Sequence, residues 1–151
     1  MEPSVSVAGG ALDDATREAV FAVLREHNRT RAADHWAALD RPESASRPLA
    51  IVARGDDGRV LGGLTGATRL AWLKIEVLGV CEGARGKGLG RRLVAEAERE
   101  AVRRGCRHAY ADTMSHQAPG FFARLGYDLA GRIDDWDSFG RAHFLYTKRL
   151  A

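Results

Sequence analysis

Apolar positions along the chain change period several times, and each change marks an element. From Leu12 to His27, Ala15, Ala19, Val20, Val23 and Leu24 share one helical face, with Asp13 or Asp14 placed to cap the start. From Asn28 to Pro48 the pattern is weak, with a short helix possible around Trp36 and Leu39 before a Pro/Ser loop. Leu49–Arg54 and Arg59–Thr68 are two apolar runs separated by Gly-Asp-Asp-Gly, which predicts a hairpin. Gly62, Gly63 and Gly66 in its second arm predict a bulge or a close backbone approach. Trp72–Val80 predicts a third antiparallel strand. Helical spacing returns over Gly88–Arg104, where Leu89, Leu93, Ala97 and Ala101 recur every four residues and Gly105 supplies the stop. His108–Thr113 reads as a strand, Ala118–Leu125 as a short helix, and Tyr127–Ile133 and His143–Leu150 as two closing strands. Residues 4–8 read as a short leading strand. The strand–helix–strand crossover implies that Trp72–Val80 and His108–Thr113 run parallel, so the fold class is α/β with a mixed sheet.

Composition narrows the setting without changing this picture. A chain of 151 residues fits one domain, and 45% apolar content is enough for a real core. Twenty-three basic and twenty acidic residues are interspersed, so the net charge of +3 makes no nucleic-acid tract. Cys81 and Cys106 lack the spacing and histidine companions of a metal site, and no metal is expected. No apolar run reaches the ~18 residues of a membrane span, and no signal-peptide pattern opens the chain, so a cytoplasmic protein is expected.

The candidate chemistry lies between Trp72 and Gly105. An apolar strand enters the turn Arg85-Gly86-Lys87-Gly88-Leu89-Gly90, which opens the long helix. Helix starts leave about four N–H groups without intrahelical partners, and glycines let a phosphate approach them closely. Arg85 and Lys87 add full charges, so the turn predicts a phosphate-bearing ligand. A Walker loop would need Ser or Thr after Lys87, where Gly88 stands; a dinucleotide fingerprint would need a different glycine spacing.

The pattern Arg85-x-x-Gly88-x-Gly90 after Leu78-Gly79-Val80 resembles the acyl-CoA pyrophosphate loop of the GNAT superfamily of N-acetyltransferases, R/Q-x-x-G-x-G/A. Downstream, Ser115 to Tyr127 (SHQAPGFFARLGY) resembles the family segment N-x-x-A-x-x-F-Y-x-x-x-G-F. The resemblance covers roughly Leu49 to the C-terminus. It implies a mixed, mostly antiparallel sheet with flanking helices, in which two central parallel strands splay apart to hold acyl-CoA. It further implies pantetheine along Leu78, Gly79 and Val80, and pyrophosphate on Arg85, Gly86, Lys87, Gly88, Leu89 and Gly90, with Phe122 facing the cofactor. Acetyl-CoA would be the co-substrate and a small-molecule or peptide amine the acceptor; a homodimer is compatible with the family.

Acetyl transfer to an amine needs a base, an oxyanion donor and a route for the thiol to leave. An alkylammonium with a pKa near 10 must lose a proton first. Glu76, on the central strand and read as sharing a face with Lys74 and Leu78, is the leading candidate base; paired with Lys74, it would be only a surface residue. His116 is the second candidate. The Val80 N–H is the candidate oxyanion donor by family position. The family tyrosine that would protonate the leaving thiolate corresponds to Phe122, and Ser115 stands where Asn is common, so the task would fall to water, Ser115 or Tyr127. Tyr127 otherwise reads as a core aromatic. The acidic loop Asp134-Asp135-Trp136-Asp137 is a candidate for meeting a cationic amine. Two rival functions stand beside acetyl transfer: a non-catalytic acyl-CoA-binding module, consistent with Phe122, and a nucleotide-binding protein.

Overall fold

A computed structural model describes Val5 and residues 10–151. The leading strand expected over residues 4–8 therefore lies outside the described residues, Val5 excepted. The chain divides into two compact units, one ending at Ser44 and one running from Ala45 to Ala151.

The N-terminal unit carries helices α1 (Asp14–Arg31) and α2 (Ala33–Leu39), followed by a single 3-10 turn at Pro42–Ser44. Asp13 caps α1 by accepting from the Thr16 backbone N–H at 2.9 Å, which satisfies one orphan donor of the first turn. The helix runs four residues past the expected His27. Arg29 then reaches α2, lying 5.6 Å from the centre of the Trp36 ring and 3.3 Å from the Asp40 carboxylate.

The C-terminal unit is a six-stranded sheet in the order β1-β2-β3-β4-β6-β5. The strands are β1 (Arg47–Arg54), β2 (Val60–Arg69), β3 (Trp72–Val80), β4 (His108–Met114), β5 (Asp128–Ile133) and β6 (His143–Arg149). Every pairing is antiparallel except β3 with β4. Helix α3 (Leu89–Arg103) supplies the β3–β4 crossover, and α4 (Pro119–Arg124) links β4 to β5.

The α3 stripe does what its spacing predicts. Leu93, Val94, Ala97 and Ala101 are buried against the sheet, in a core shared with Leu49, Leu64, Leu73, Ile75, Ala109, Ala111, Phe122, Tyr127 and Tyr146. Small residues on α3 and β4 let helix and sheet approach closely, while Leu64, Leu73 and Val94 fill the space between. Polar staples fix the helix ends. Arg104 donates to the carbonyls of Arg47 and Pro48 at 3.2 and 3.0 Å, tying the end of α3 to the start of β1. Lys148 on β6 bonds both oxygens of Glu98 on α3 at 2.9 Å.

Candidate active site

The site begins where a sheet fails to stay closed. β3 and β4 pair over only four rungs, Trp72↔His108 through Ile75↔Ala111, although each strand continues. Beyond Ile75 and Ala111 they part, leaving the β3 edge from Glu76 to Val80 without a β4 partner.

The cause lies on the other side of β3. Thr65 of β2 pairs with Val77 and Gly66 pairs with Ile75, so Glu76 is an extra residue, a bulge. Gly66 is required opposite it: a Cβ there would lie 2.2 Å from the Lys74 carbonyl oxygen. The glycines of β2 thus mark a real bulge and close approach. The bulge also corrects one sequence expectation. Glu76 and Val77 are both exposed, and Leu78 pairs with buried Leu64 and packs on the core, so Leu78 is not on the Glu76 face. Strict alternation fails at a bulge because two residues oppose one.

The free edge points usable groups into the gap. The Cys81 N–H donates to Leu61 on β2 at 2.9 Å, so by alternation the N–H and C=O of Val80 face the opposite way, toward the gap. Arg85 Nε donates to the Val80 carbonyl at 3.0 Å. That bond occupies the carbonyl and folds the turn back against the strand end.

The turn itself has the expected form. After a short 3-10 turn at Glu82–Ala84, Gly86 and Gly88 adopt φ of +73° and +76°, a region costly for a side chain, and Gly88 caps α3. The first ladder bond of α3 is Arg92 N–H to the Gly88 carbonyl at 3.1 Å, so the N–H groups of Leu89, Gly90 and Arg91 precede the ladder. Lys87 Nζ rests on the Gly83 carbonyl at 3.1 Å. The helix start thus offers N–H groups ahead of the ladder, with Arg85 and Lys87 in the turn that leads into it, a set suited to a diphosphate.

Glu76 is exposed and its carboxylate lies 3.5 Å from Lys74 Nζ. Opposite it, Asp112 is the first β4 residue beyond the last rung, exposed, and on the face that carries Tyr110 and Lys74. The structure therefore sets one carboxylate on each lip of the gap. Sequence reasoning missed Asp112, because a lone acid in His-Ala-Tyr-Ala-Asp-Thr has no motif; only the place where pairing stops gives it meaning.

The remaining candidates have local roles. Ser115 exchanges two bonds with Ala142, its N–H donating to the carbonyl at 2.8 Å and its Oγ accepting the Ala142 N–H at 3.3 Å, which ties the turn after β4 to the approach of β6. His116 is exposed in that turn. Gln117 Oε1 accepts from Met114 N–H at 2.8 Å and lies 3.1 Å from the Thr113 hydroxyl. Phe122 is buried among Phe121, Tyr127 and Tyr146. Tyr127 is the core aromatic of its simpler reading, its hydroxyl sealed from solvent without a hydrogen-bond partner. Burial, reinforced by nearby Glu98, pushes its phenol far above the ordinary value, so it holds its proton.

In the acidic loop each carboxylate serves the loop itself. Asp134 pairs with Arg132, Asp135 accepts from Gly140 N–H at 2.7 Å, and Asp137 binds Arg141 and the Phe139 N–H. The Arg141 guanidinium and two backbone N–H groups hold the Asp137 carboxyl down to about 2. Trp136 stacks on His143 at 4.8 Å. Because His143 pairs with Met114, this loop borders the open end of β4, but its carboxylates are already engaged.

Known proteins are similar to this chain in sequence and fold. The model of the acetyltransferase (GNAT) family matches residues 12–127. Blasticidin-S acetyltransferase of Streptomyces morookaense is 42% identical over 108 residues, 69% of this chain and 79% of that protein. Streptothricin acetyltransferase of Streptomyces lavendulae is 38% identical over 86 residues, 54% of this chain and 45% of that protein. The crystal structure of an acetyltransferase from Bacillus cereus superposes with a TM-score of 0.70 at 25% identity, covering 96% of this chain and 97% of that one. With the mixed sheet and its single parallel pair, the family match and these relatives agree: the chain belongs to the GNAT family and is an acetyl-CoA-dependent N-acetyltransferase.

Proposed function

We propose that the gap between β3 and β4 receives acetyl-CoA and that the acetyl group passes directly to the amine of a small cationic molecule. The supporting observation is the coincidence of three features at one place: the bulge at Glu76, the end of β3–β4 pairing, and a free Val80 N–H edge leading into the Arg85–Gly90 turn. Pantetheine carries two amides and can extend a free strand edge, as peptides do. The diphosphate takes the start of α3.

In this reading Glu76 accepts the proton the ammonium must lose, directly or through water, and Asp112 holds the cationic amine from the other lip. The lone pair attacks the thioester carbonyl, and the Val80 N–H donates to the oxyanion; losing such a donor typically costs about 10²–10³ in rate. The Lys74–Glu76 contact is compatible with a base that exchanges one cation for another, since an exposed pair is worth only about 0–1 kcal/mol. His116 and Ser115 are secondary, the latter because its bonds to Ala142 tie the turn after β4 to the approach of β6. The names of two relatives place blasticidin S and streptothricin first among amines to try. Peptide amines come second.

The test is thiol release from acetyl-CoA across an amine panel headed by those two compounds. Release that depends on one amine, with that amine acetylated, is the expected result. A protein that acetyl-CoA stabilises against heat but that releases no thiol with any amine would be a binding module. Stabilisation by magnesium-ATP or NAD in place of acetyl-CoA would mark a nucleotide binder.

A further inference from the structure

A cleft of about 220 Å³ opens between α3, α4 and β6, on the side of the sheet away from Asp112. Val94 and Leu125 form its apolar wall, and four charged side chains line the rest: Arg91, Glu98, Arg124 and Lys148. Two of the four cancel. Lys148 Nζ bonds both oxygens of Glu98 at 2.9 Å, so neither charge is left for a ligand.

The two arginines are not cancelled. Among the described residues, neither the Arg91 nor the Arg124 guanidinium has a hydrogen bond or an ion pair. Later in α3, by contrast, Arg99 and Arg103 each pair with a glutamate one turn earlier. Two like charges that line one small cleft repel each other, and an anion between them relieves that cost. The planar guanidinium fork matches the oxygens of a phosphate. A cationic amine would be repelled, so the cleft does not serve the acceptor.

Its position says which phosphate. A Cβ on Gly90 would lie 3.2 Å from the Phe121 ring, so the start of α3 lies against α4. A Cβ on Gly120 would lie 3.1 Å from Arg124 Nη1, so this guanidinium folds back over the first turn of α4. Arg91 links the two places. Its N–H is among those ahead of the α3 ladder, where the diphosphate is proposed to sit, and its side chain lines the cleft. In coenzyme A the diphosphate and a second phosphate, a monoester, hang from the same adenosine ribose. The monoester carries a charge of about −1.5 to −2 near neutral pH. Pockets for drug-sized ligands hold about 300–1,000 Å³, so this smaller cleft suits one sugar phosphate and not a whole cofactor.

We propose that the cleft binds the ribose phosphate of coenzyme A, and that Arg91 and Arg124 thereby make the protein select phosphorylated donors. The proposal rests on the acetyl-transfer reading above. The test compares acetyl-CoA with acetyl-dephospho-CoA, which lacks only the ribose phosphate, by thermal-shift titration of the whole chain. No acceptor is needed. In the wild type the dephospho donor should bind about tenfold more weakly or worse, the loss of charge-assisted bonds to two arginines. In the Arg91→Gln, Arg124→Gln double variant the two donors should bind nearly alike. Both side chains are exposed, and unfolding curves without ligand check that the variant folds. Equal binding of both donors to the wild type overturns the proposal without any variant, as does a double variant that keeps the wild-type preference. Inorganic phosphate should compete with acetyl-CoA in the wild type; phosphate that stabilises a wild type with no donor preference would mark a free-anion site and also overturn it. A wild type that neither donor stabilises instead removes the acetyl-transfer reading beneath.

Discussion

In the proposed mechanism, two carboxylates and one backbone amide carry the chemistry at the scale of single residues. Glu76 is exposed because a bulge turns it out, and Asp112 because its strand loses a partner one residue earlier. Neither depends on a motif, yet in the proposed mechanism together they meet the amine that approaches the thioester. Their roles separate in kinetics. Glu76→Gln should lower kcat by about 10²–10⁴, the usual range for general base catalysis. Asp112→Asn should act mainly on the acceptor KM, because it removes attraction for the ammonium without removing the base. Unchanged kcat in Glu76→Gln would remove it as the base. The acids of the 134–137 loop are poorer candidates, since each already holds a backbone N–H or an arginine.

At the scale of elements, the gap is made by β2 as much as by β3. Gly66 admits the Lys74 carbonyl that the bulge swings inward, so Gly66→Ala forces a shift of backbone. Overpacking of this kind typically costs about 1–3 kcal/mol. A urea titration should show that loss together with a weaker acetyl-CoA effect; a stable variant with full acetyl-CoA stabilisation would separate the bulge from the site. The loop before β6 offers a pH test. The Asp137 carboxyl titrates at about 2 in the fold against an ordinary ~3.9, so it is depressed. The stability it lends the loop is full above the ordinary value and is lost as pH falls from about 4 toward 2. Trp136 fluorescence should report that change in the wild type and lose it in Asp137→Asn; identical acid titrations would contradict the linkage.

For the molecule as a whole, the strand order places the one parallel pair centrally, with antiparallel hairpins on either side. The element order and the parallel β3–β4 pair were legible in the sequence, because the period changes and the helical crossover constrain them; the insertion of β6 between β4 and β5 was not. β3 emerged with its bounds intact, since its apolar run is flanked by a turn and by the glycine loop. The form of the turn before α3 was legible as well: Gly86 and Gly88 are spaced for a backbone that side chains resist. The bulge itself was legible in the glycines of β2; what could not be read was which residue of β3 is the extra one. An alternation rule cannot count an extra residue in one strand, and so Leu78 was set on the wrong face. Its trace lay on the neighbouring strand, in Gly66. Asp112 stayed hidden because its place comes from the last rung between β3 and β4, a fact of pairing and not of composition.

The most direct test of the central claim is amide hydrogen exchange with and without acetyl-CoA. The gap account predicts that acetyl-CoA slows exchange at Leu78 and Val80 on the free edge of β3, and at the N–H groups of Gly88 to Arg91 at the start of α3. Protection elsewhere, with these amides exchanging as fast as in the free protein, would contradict it.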